Sequence, residues 1–211
     1  MKNQVLLSIL KGQPVLPVLT IERLADAVPL AKALMHGGLP AIEVTLRTRY
    51  ALDAIRLIAD EAPEVIVGAG TVLNALQYQE ATAAGARFVV SPGATQELID
   101  AANLSDAPFL PGVATPSEAM AMLEEGLTMM KFFPAGPAGG ASYLKSLASP
   151  LPNAIFCPTG GVSLENAESY LSLPNVVCVG GSWVAPAKLV EERDWQAIEQ
   201  LAADAARLRR A

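Results

Sequence analysis

Met129-Met130-Lys131-Phe132-Phe133-Pro134 is an apolar run with a single charge in its middle, and turn residues follow at once in Ala135-Gly136-Pro137-Ala138-Gly139-Gly140. A short apolar run closed by Gly and Pro reads as a buried strand entering a loop. The chain has six lysines. Five sit in helical or loop contexts where the ammonium can reach water, but Lys131 does not. A buried ammonium is costly to desolvate, so it either finds a partner or loses its proton. On residues alone, Lys131 is thus either a structural counter-ion or a reactive amine.

Working outward, the same unit recurs along the chain. Short β-branched or apolar runs cover Val15–Thr20, Ala41–Leu46, Val65–Thr71, Phe88–Gly93, Phe109–Thr115, Met129–Ala135, Ile155–Gly161 and Val176–Trp183. Between them lie longer Ala- and Leu-rich stretches with helical spacing and clear stops. Examples are Ile21–His36 before Gly37-Gly38, Tyr50–Ala62 before Pro63, and Asn74–Ala84 before Gly85; glycine favours such helix ends. Alternation of this kind predicts parallel strands with helices outside. Eight such units predict a closed (β/α)8 TIM barrel with an extra N-terminal helix over Met1–Gln13, as one domain covering residues 1–211. The runner-up, an open doubly wound sheet, calls for a Gly-rich fingerprint after the first strand, where Thr20-Ile21-Glu22-Arg23 stands instead.

Composition agrees with an α/β enzyme-sized core. Hydrophobic residues make up 52% and charged residues 17% of 211 positions, enough for a large interior. A net charge of −6 without any Lys/Arg run argues against a nucleic-acid surface. The apolar segments are too interrupted to span a bilayer, and the N-terminus lacks the long apolar region of a signal peptide. The expected location is the cytoplasm. Cys157 and Cys178 fall in apolar runs and read as buried free thiols. His36, the single histidine, precedes Gly37-Gly38 and reads as a helix-end residue.

In a barrel of this kind the reacting groups sit at the C-terminal strand ends. Glu43, Thr45, Arg47, Thr71, Ser91, Thr115, Lys131, Thr159 and Ser182 all fall there. Period-two alternation sorts them. Ile42, Val44 and Leu46 share the face that meets the helices, whereas Glu43, Thr45 and Arg47 share the face that points inward. Lys131 and Phe133 share a face opposite to Met130 and Phe132. If Lys131 points inward it meets Glu43 in one cavity, either as an ion pair that fills the barrel or as a working pair. Two glycine pairs, Gly160-Gly161 and Gly180-Gly181, end the seventh and eighth strands, with Ser182 adjacent. Glycines there can let backbone N–H groups approach a phosphate.

The strings Ile42-Glu-Val-Thr-Leu-Arg-Thr48, Val67-Gly-Ala-Gly-Thr-Val72, Val90-Ser-Pro-Gly93, Lys131-Phe-Phe-Pro-Ala135, Phe156-Cys-Pro-Thr-Gly-Gly161 and Gly180-Gly-Ser-Trp183 resemble the 2-keto-3-deoxy-6-phosphogluconate aldolase family, in the family's order. The resemblance implies a class I aldolase that splits 2-dehydro-3-deoxy-6-phospho-D-gluconate into pyruvate and D-glyceraldehyde 3-phosphate, without cofactor or metal. It implies Lys131 as the Schiff-base lysine and Glu43 as the acid/base. Arg47, Thr71 and Thr159 would surround the pyruvate carboxylate, and Pro92 and Phe133 would line the pocket. Gly160, Gly161, Gly181 and Ser182 would hold the phosphate. It also implies a homotrimer. Gly136 departs from the family, where many members carry Glu after Pro-Ala, so the loop after the sixth strand is left open. Two alternatives remain. One is the same chemistry on 4-hydroxy-2-oxoglutarate or the galactonate-derived epimer, and relatives of the galactonate type lack the Glu43–Thr48 string. The other is a phosphate-ligand barrel that binds without catalysis.

Overall fold

The computed structural model describes residues 2–208. After α1 (Lys2–Lys11), short strands alternate with helices: β1 (Val15–Leu19), α2 (Ala27–His36), β2 (Ala41–Thr45), α3 (Ala51–Glu61), β3 (Ile66–Gly70), α4 (Ala75–Ala83), β4 (Val89–Val90) and α5 (Gln96–Leu104). The second half continues with β5 (Phe109–Leu110), β6 (Gly112–Val113), α6 (Pro116–Glu124), β7 (Met129–Phe132), α7 (Gly140–Leu147), β8 (Ile155–Pro158), α8 (Leu164–Leu171), β9 (Val179–Gly181), α9 (Ala187–Glu192) and α10 (Trp195–Ala206). Every strand pairing is parallel. The result is an α/β fold around a curled parallel sheet.

The strands run in the order β5-β4-β3-β2-β1-β9 in one sheet and β6-β7-β8 in another. β5 and β6 are separated only by Pro111, which lacks the N–H that a ladder needs. Isolated parallel bridges Phe156↔Val176 and Thr159↔Gly180 link β8 to the chain entering β9.

Several elements are shorter than their sequence patterns predict. The expected helix from Ile21 begins only at Ala27, after a 3-10 turn over Leu24–Asp26. Asp26 does not cap it: the carboxylate is instead held by Arg23 Nε (2.5 Å) and Arg193 Nε (2.9 Å). The expected run from Val176 becomes regular only at Val179. Thr115 is the N-cap of α6 in a capping box with Glu118, so it serves the helix.

Two apolar layers form, as alternation demands. Ile42, Val44, Met130 and Phe132 join the outer layer between sheet and helices. Leu16, Ala41, Phe88, Val90, Leu110, Met129, Cys157 and Cys178 form the inner layer, into which α1 inserts Leu6, Ile9 and Leu10. Each such leucine contributes about 1.5–3 kcal/mol by leaving water, so α1 plugs the interior from the end at which the strands begin. Gln13 fastens that end: its Nε2 donates to Val15 O and Ala41 O (2.7 and 2.6 Å), and its Oε1 accepts from Ala41 N (2.7 Å). Cys157 and Cys178 are buried and not joined by a disulfide, with sulfurs 3.5 Å apart. Among the described residues no helix is long and apolar enough to cross a membrane.

Candidate active site

The plug at one end leaves the other end for polar groups. Glu43 lies on β2 and Lys131 on β7, 88 residues apart, and Lys131 Nζ donates to Glu43 Oε1 at 3.0 Å. Their side chains are only 1% and 6% exposed. Both have glycines beside them on the adjacent strands, whose missing side chains leave space to the Phe88 ring and the Pro92 backbone. Glu43 registers with Gly68 on β3, and Lys131 with Gly112 on β6. A methyl group on Gly70 would stand 2.1 Å from Glu43 Oε1, so that glycine seats the carboxylate. The second carboxylate oxygen, Glu43 Oε2, is buried without a hydrogen-bond partner among the described residues. A buried acceptor left unmet costs about 1–3 kcal/mol, which marks a place where an incoming hydroxyl or water gains a bond.

Phe133 shares the inward face as alternation requires, and its ring centroid lies 5.5 Å from Lys131 Nζ. Thr159, 7% exposed, sits where β8 meets Gly180. A methyl group on Gly180 would collide with its hydroxyl, so this glycine also yields space to a polar side chain. Gly160 and Gly161 adopt φ of +88° and +78°, which costs glycine little and strains a residue with a side chain. Their carbonyls are engaged, Gly160 O by Gly136 N (2.8 Å) and Gly161 O by Asn166 Nδ2 (2.9 Å). Gly136 therefore packs on this turn, its Cβ position 3.3 Å from Gly161 Cα, and its lack of a side chain suits the close contact.

Arg47 follows β2 in an exposed turn and, with Phe133, Thr159, Gly160, Gly161, Gly181 and Ser182, lines a cavity of about 280 Å³. Thr71 and Pro92 are not in that wall. Thr71 directly follows Gly70 with φ of +58°, a left-handed conformation that costs a β-branched residue about 1–3 kcal/mol. Pro92 lies over Gly112, the strand neighbour of Lys131: a methyl group there would meet the Pro92 carbonyl at 2.2 Å. Ser91 turns its hydroxyl back to Gly93 O. Sequence reasoning missed Val18, Thr20 and Val162 as lining residues, whereas Gly180 belongs to a glycine pair it had singled out. Val18 and Thr20 were open to discovery, because they share parity with the inward Leu16. A neighbouring cavity of about 620 Å³ shares Val18, Thr20 and Ser182 and is bounded by Arg23, Asp26 and Trp183.

The sequence and fold have counterparts among known proteins. A 2-dehydro-3-deoxy-phosphogluconate aldolase from Pseudoalteromonas atlantica is 52% identical over 192 residues, covering 91% of this chain and 89% of the relative. The crystal structure of KDPG aldolase from Legionella pneumophila, with pyruvate captured at low pH as a covalent carbinolamine intermediate, is 45% identical. It superposes with a TM-score of 0.93 over 95% of this chain and 97% of that one. The 2-keto-3-deoxy-6-phosphogluconate aldolase of Zymomonas mobilis ZM4, crystallised with 3-phosphoglycerate, is 47% identical with a TM-score of 0.94, over 100% and 99% of the two chains. A family model described as KDPG and KHG aldolase matches residues 6–201. With fold and sequence in agreement over nearly the whole length, this chain belongs to the KDPG and KHG aldolase family.

Proposed function

We propose that this protein is a Schiff-base aldolase that cleaves 2-dehydro-3-deoxy-6-phospho-D-gluconate into pyruvate and D-glyceraldehyde 3-phosphate. The observation that carries this reading is the buried Lys131–Glu43 contact at 3.0 Å, beside a cavity rimmed by two glycine pairs. Support comes from relatives that bear this activity by name and from the pyruvate carbinolamine of the Legionella protein.

The residues divide the chemistry as follows. Glu43 takes a proton from Lys131, whose Nζ attacks the C2 carbonyl to form a carbinolamine. Glu43 returns the proton as the hydroxyl departs as water, leaving an iminium that acts as an electron sink. A base removes the C4 hydroxyl proton, the C3–C4 electron pair flows into the iminium, and the aldehyde leaves. Glu43, through the otherwise unpaired Oε2, is the acceptor for that proton and its donor to C3 of the enamine. Water then frees pyruvate from Lys131. Arg47, Thr71 and Thr159 hold the carboxylate, Pro92 and Phe133 flank the imine, and Gly160, Gly161, Gly181 and Ser182 hold the phosphate. For Arg47 the planar fork suits a carboxylate.

The same reading takes β5 and β6 as one strand broken at Pro111 and the β8–β9 bridges as closure, giving a (β/α)8 barrel with an added N-terminal helix in a single domain. Residues 209–211 and Met1 lie outside the described residues. A cytoplasmic homotrimer is part of the proposal; exposed Leu73 (55%), Leu76 (62%) and Met120 (51%) supply apolar surface that association would cover. 4-Hydroxy-2-oxoglutarate is a second substrate, favoured by the dual description of the family model.

The deciding experiment is incubation with pyruvate and sodium borohydride, with the adduct mapped by mass spectrometry. Trapping on Lys131 alone is expected. An adduct on another lysine, or none, leaves a binding barrel without this chemistry.

A further inference from the structure

Thr20 is the one polar side chain of the 280 Å³ cavity to which neither the sequence motifs nor the mechanism assigns a task. It follows β1, inward by parity with Leu16 and Val18, and forms wall shared by both cavities. The pairing of β1 with β9 and with β2 sets it between two columns. On one side stand Gly181 and Ser182, and on the other Glu43, Thr45 and Arg47.

The hydrogen-bond polarity at this point is determined. Thr45 Oγ1 donates its only proton to Leu19 O at 2.8 Å. In the 3.3 Å contact between Thr20 Oγ1 and Thr45 Oγ1, Thr20 is therefore the donor. Its proton is spent on the wall, and what it offers the cavity is an acceptor. An acceptor held in this way selects a donor, and a sugar hydroxyl is such a group where a bare methylene is not.

Resting on the proposed aldolase reading, the substrate has hydroxyls at C4 and C5. The C4 hydroxyl belongs to the bond-breaking step at Lys131 and Glu43. The C5 hydroxyl adjoins the phosphate-bearing C6, and Thr20 shares the walls of both cavities with Ser182. We propose that Thr20 is a specificity-determining residue that accepts a hydrogen bond from the C5 hydroxyl. In the condensation direction it thereby favours aldehydes that carry a hydroxyl beside the phosphate-bearing carbon.

The test uses pyruvate condensation with two acceptors, D-glyceraldehyde 3-phosphate and its 2-deoxy analogue 3-phosphooxypropanal, in wild type, Thr20→Val and Thr20→Ser. Valine keeps the shape and removes the acceptor. A neutral hydrogen bond of ordinary strength predicts that Thr20→Val loses about 3- to 10-fold in kcat/KM for the hydroxylated acceptor, with less than about 2-fold change for the deoxy one. Thr20→Ser should keep the wild-type ratio. Equal losses on both acceptors would reduce Thr20 to a support for Thr45 and overturn the proposal, as would an unchanged ratio. Borohydride trapping of pyruvate on wild-type Lys131 separates this failure from failure of the aldolase reading itself.

Discussion

Replacing Gly70 by alanine tests whether the position of Glu43, and not merely its presence, sets the rate. The added methyl would stand 2.1 Å from Oε1, 2.5 Å from Cγ and 2.6 Å from Cδ of Glu43. Ordinary contacts at carbon lie near 3.5–4 Å, so the carboxylate must retreat by more than about 1 Å. It has little room for this, because Glu43 is 1% exposed and its neighbours are close-packed. Overpacking of this kind costs about 1–3 kcal/mol of stability. A misplacement near 1 Å at a reacting group costs about 10²-fold in rate. Gly70→Ala should therefore remain folded at 25 °C with a lowered Tm and lose about 100-fold in kcat. Gly93→Ala is the control, since a methyl there meets nothing within 4 Å. The assay is pyruvate release coupled to its NADH-dependent reduction, with Tm measured on the same samples. Near wild-type kcat in a folded Gly70→Ala protein would refute the reasoning, because Glu43 would then work equally well from a displaced seat.

Three further outcomes are expected. Glu43→Gln should lose about 10²- to 10⁴-fold in turnover yet still form the pyruvate imine slowly; wild-type turnover would assign proton transfer to another group. Gly161→Val forces a β-branched residue to φ of +78° beside Gly136 Cα. It should depress kcat/KM for the 6-phosphorylated substrate far more than for the dephospho analogue, and an equal effect on both would move the phosphate elsewhere. Glu118 carries a pH signature: N–H groups of Ala114 and Thr115 and the Thr115 hydroxyl, all within 2.9 Å of Oε2, hold its carboxyl below the ordinary 4.5. Because the folded value is depressed, this stabilisation is present above about pH 4.5 and fades as the pH falls through the folded value. The stability gap between wild type and Glu118→Gln, from urea denaturation, should narrow from pH 7 to pH 3.5, whereas a constant gap would mean that the ionised carboxylate adds nothing.

Local rules carried the sequence reading a long way. Strand–helix alternation follows from residue spacing, so the α/β class was legible before any coordinate. The period of two placed Glu43 with Thr45 and Lys131 with Phe133, because neighbouring side chains on a strand must face opposite ways. Family motifs in order named the chemistry. Tertiary structure decided whatever depends on residues far apart in the chain. The Lys131–Glu43 contact exists because β2 and β7 face each other across the curled sheet, a distance of 88 residues that no local pattern encodes. Thr115 carries the same strand-end signature as Thr159, yet one caps a helix and the other faces the cavity. Gly70 and Gly93 look alike as letters: one is a void filled by the Glu43 carboxylate and the other opens to solvent. Thr20 becomes an acceptor only because Thr45, from another strand, has already spent its proton on Leu19. Propensity and parity act between chain neighbours, whereas space and hydrogen-bond direction are settled only once the strands have closed around one interior.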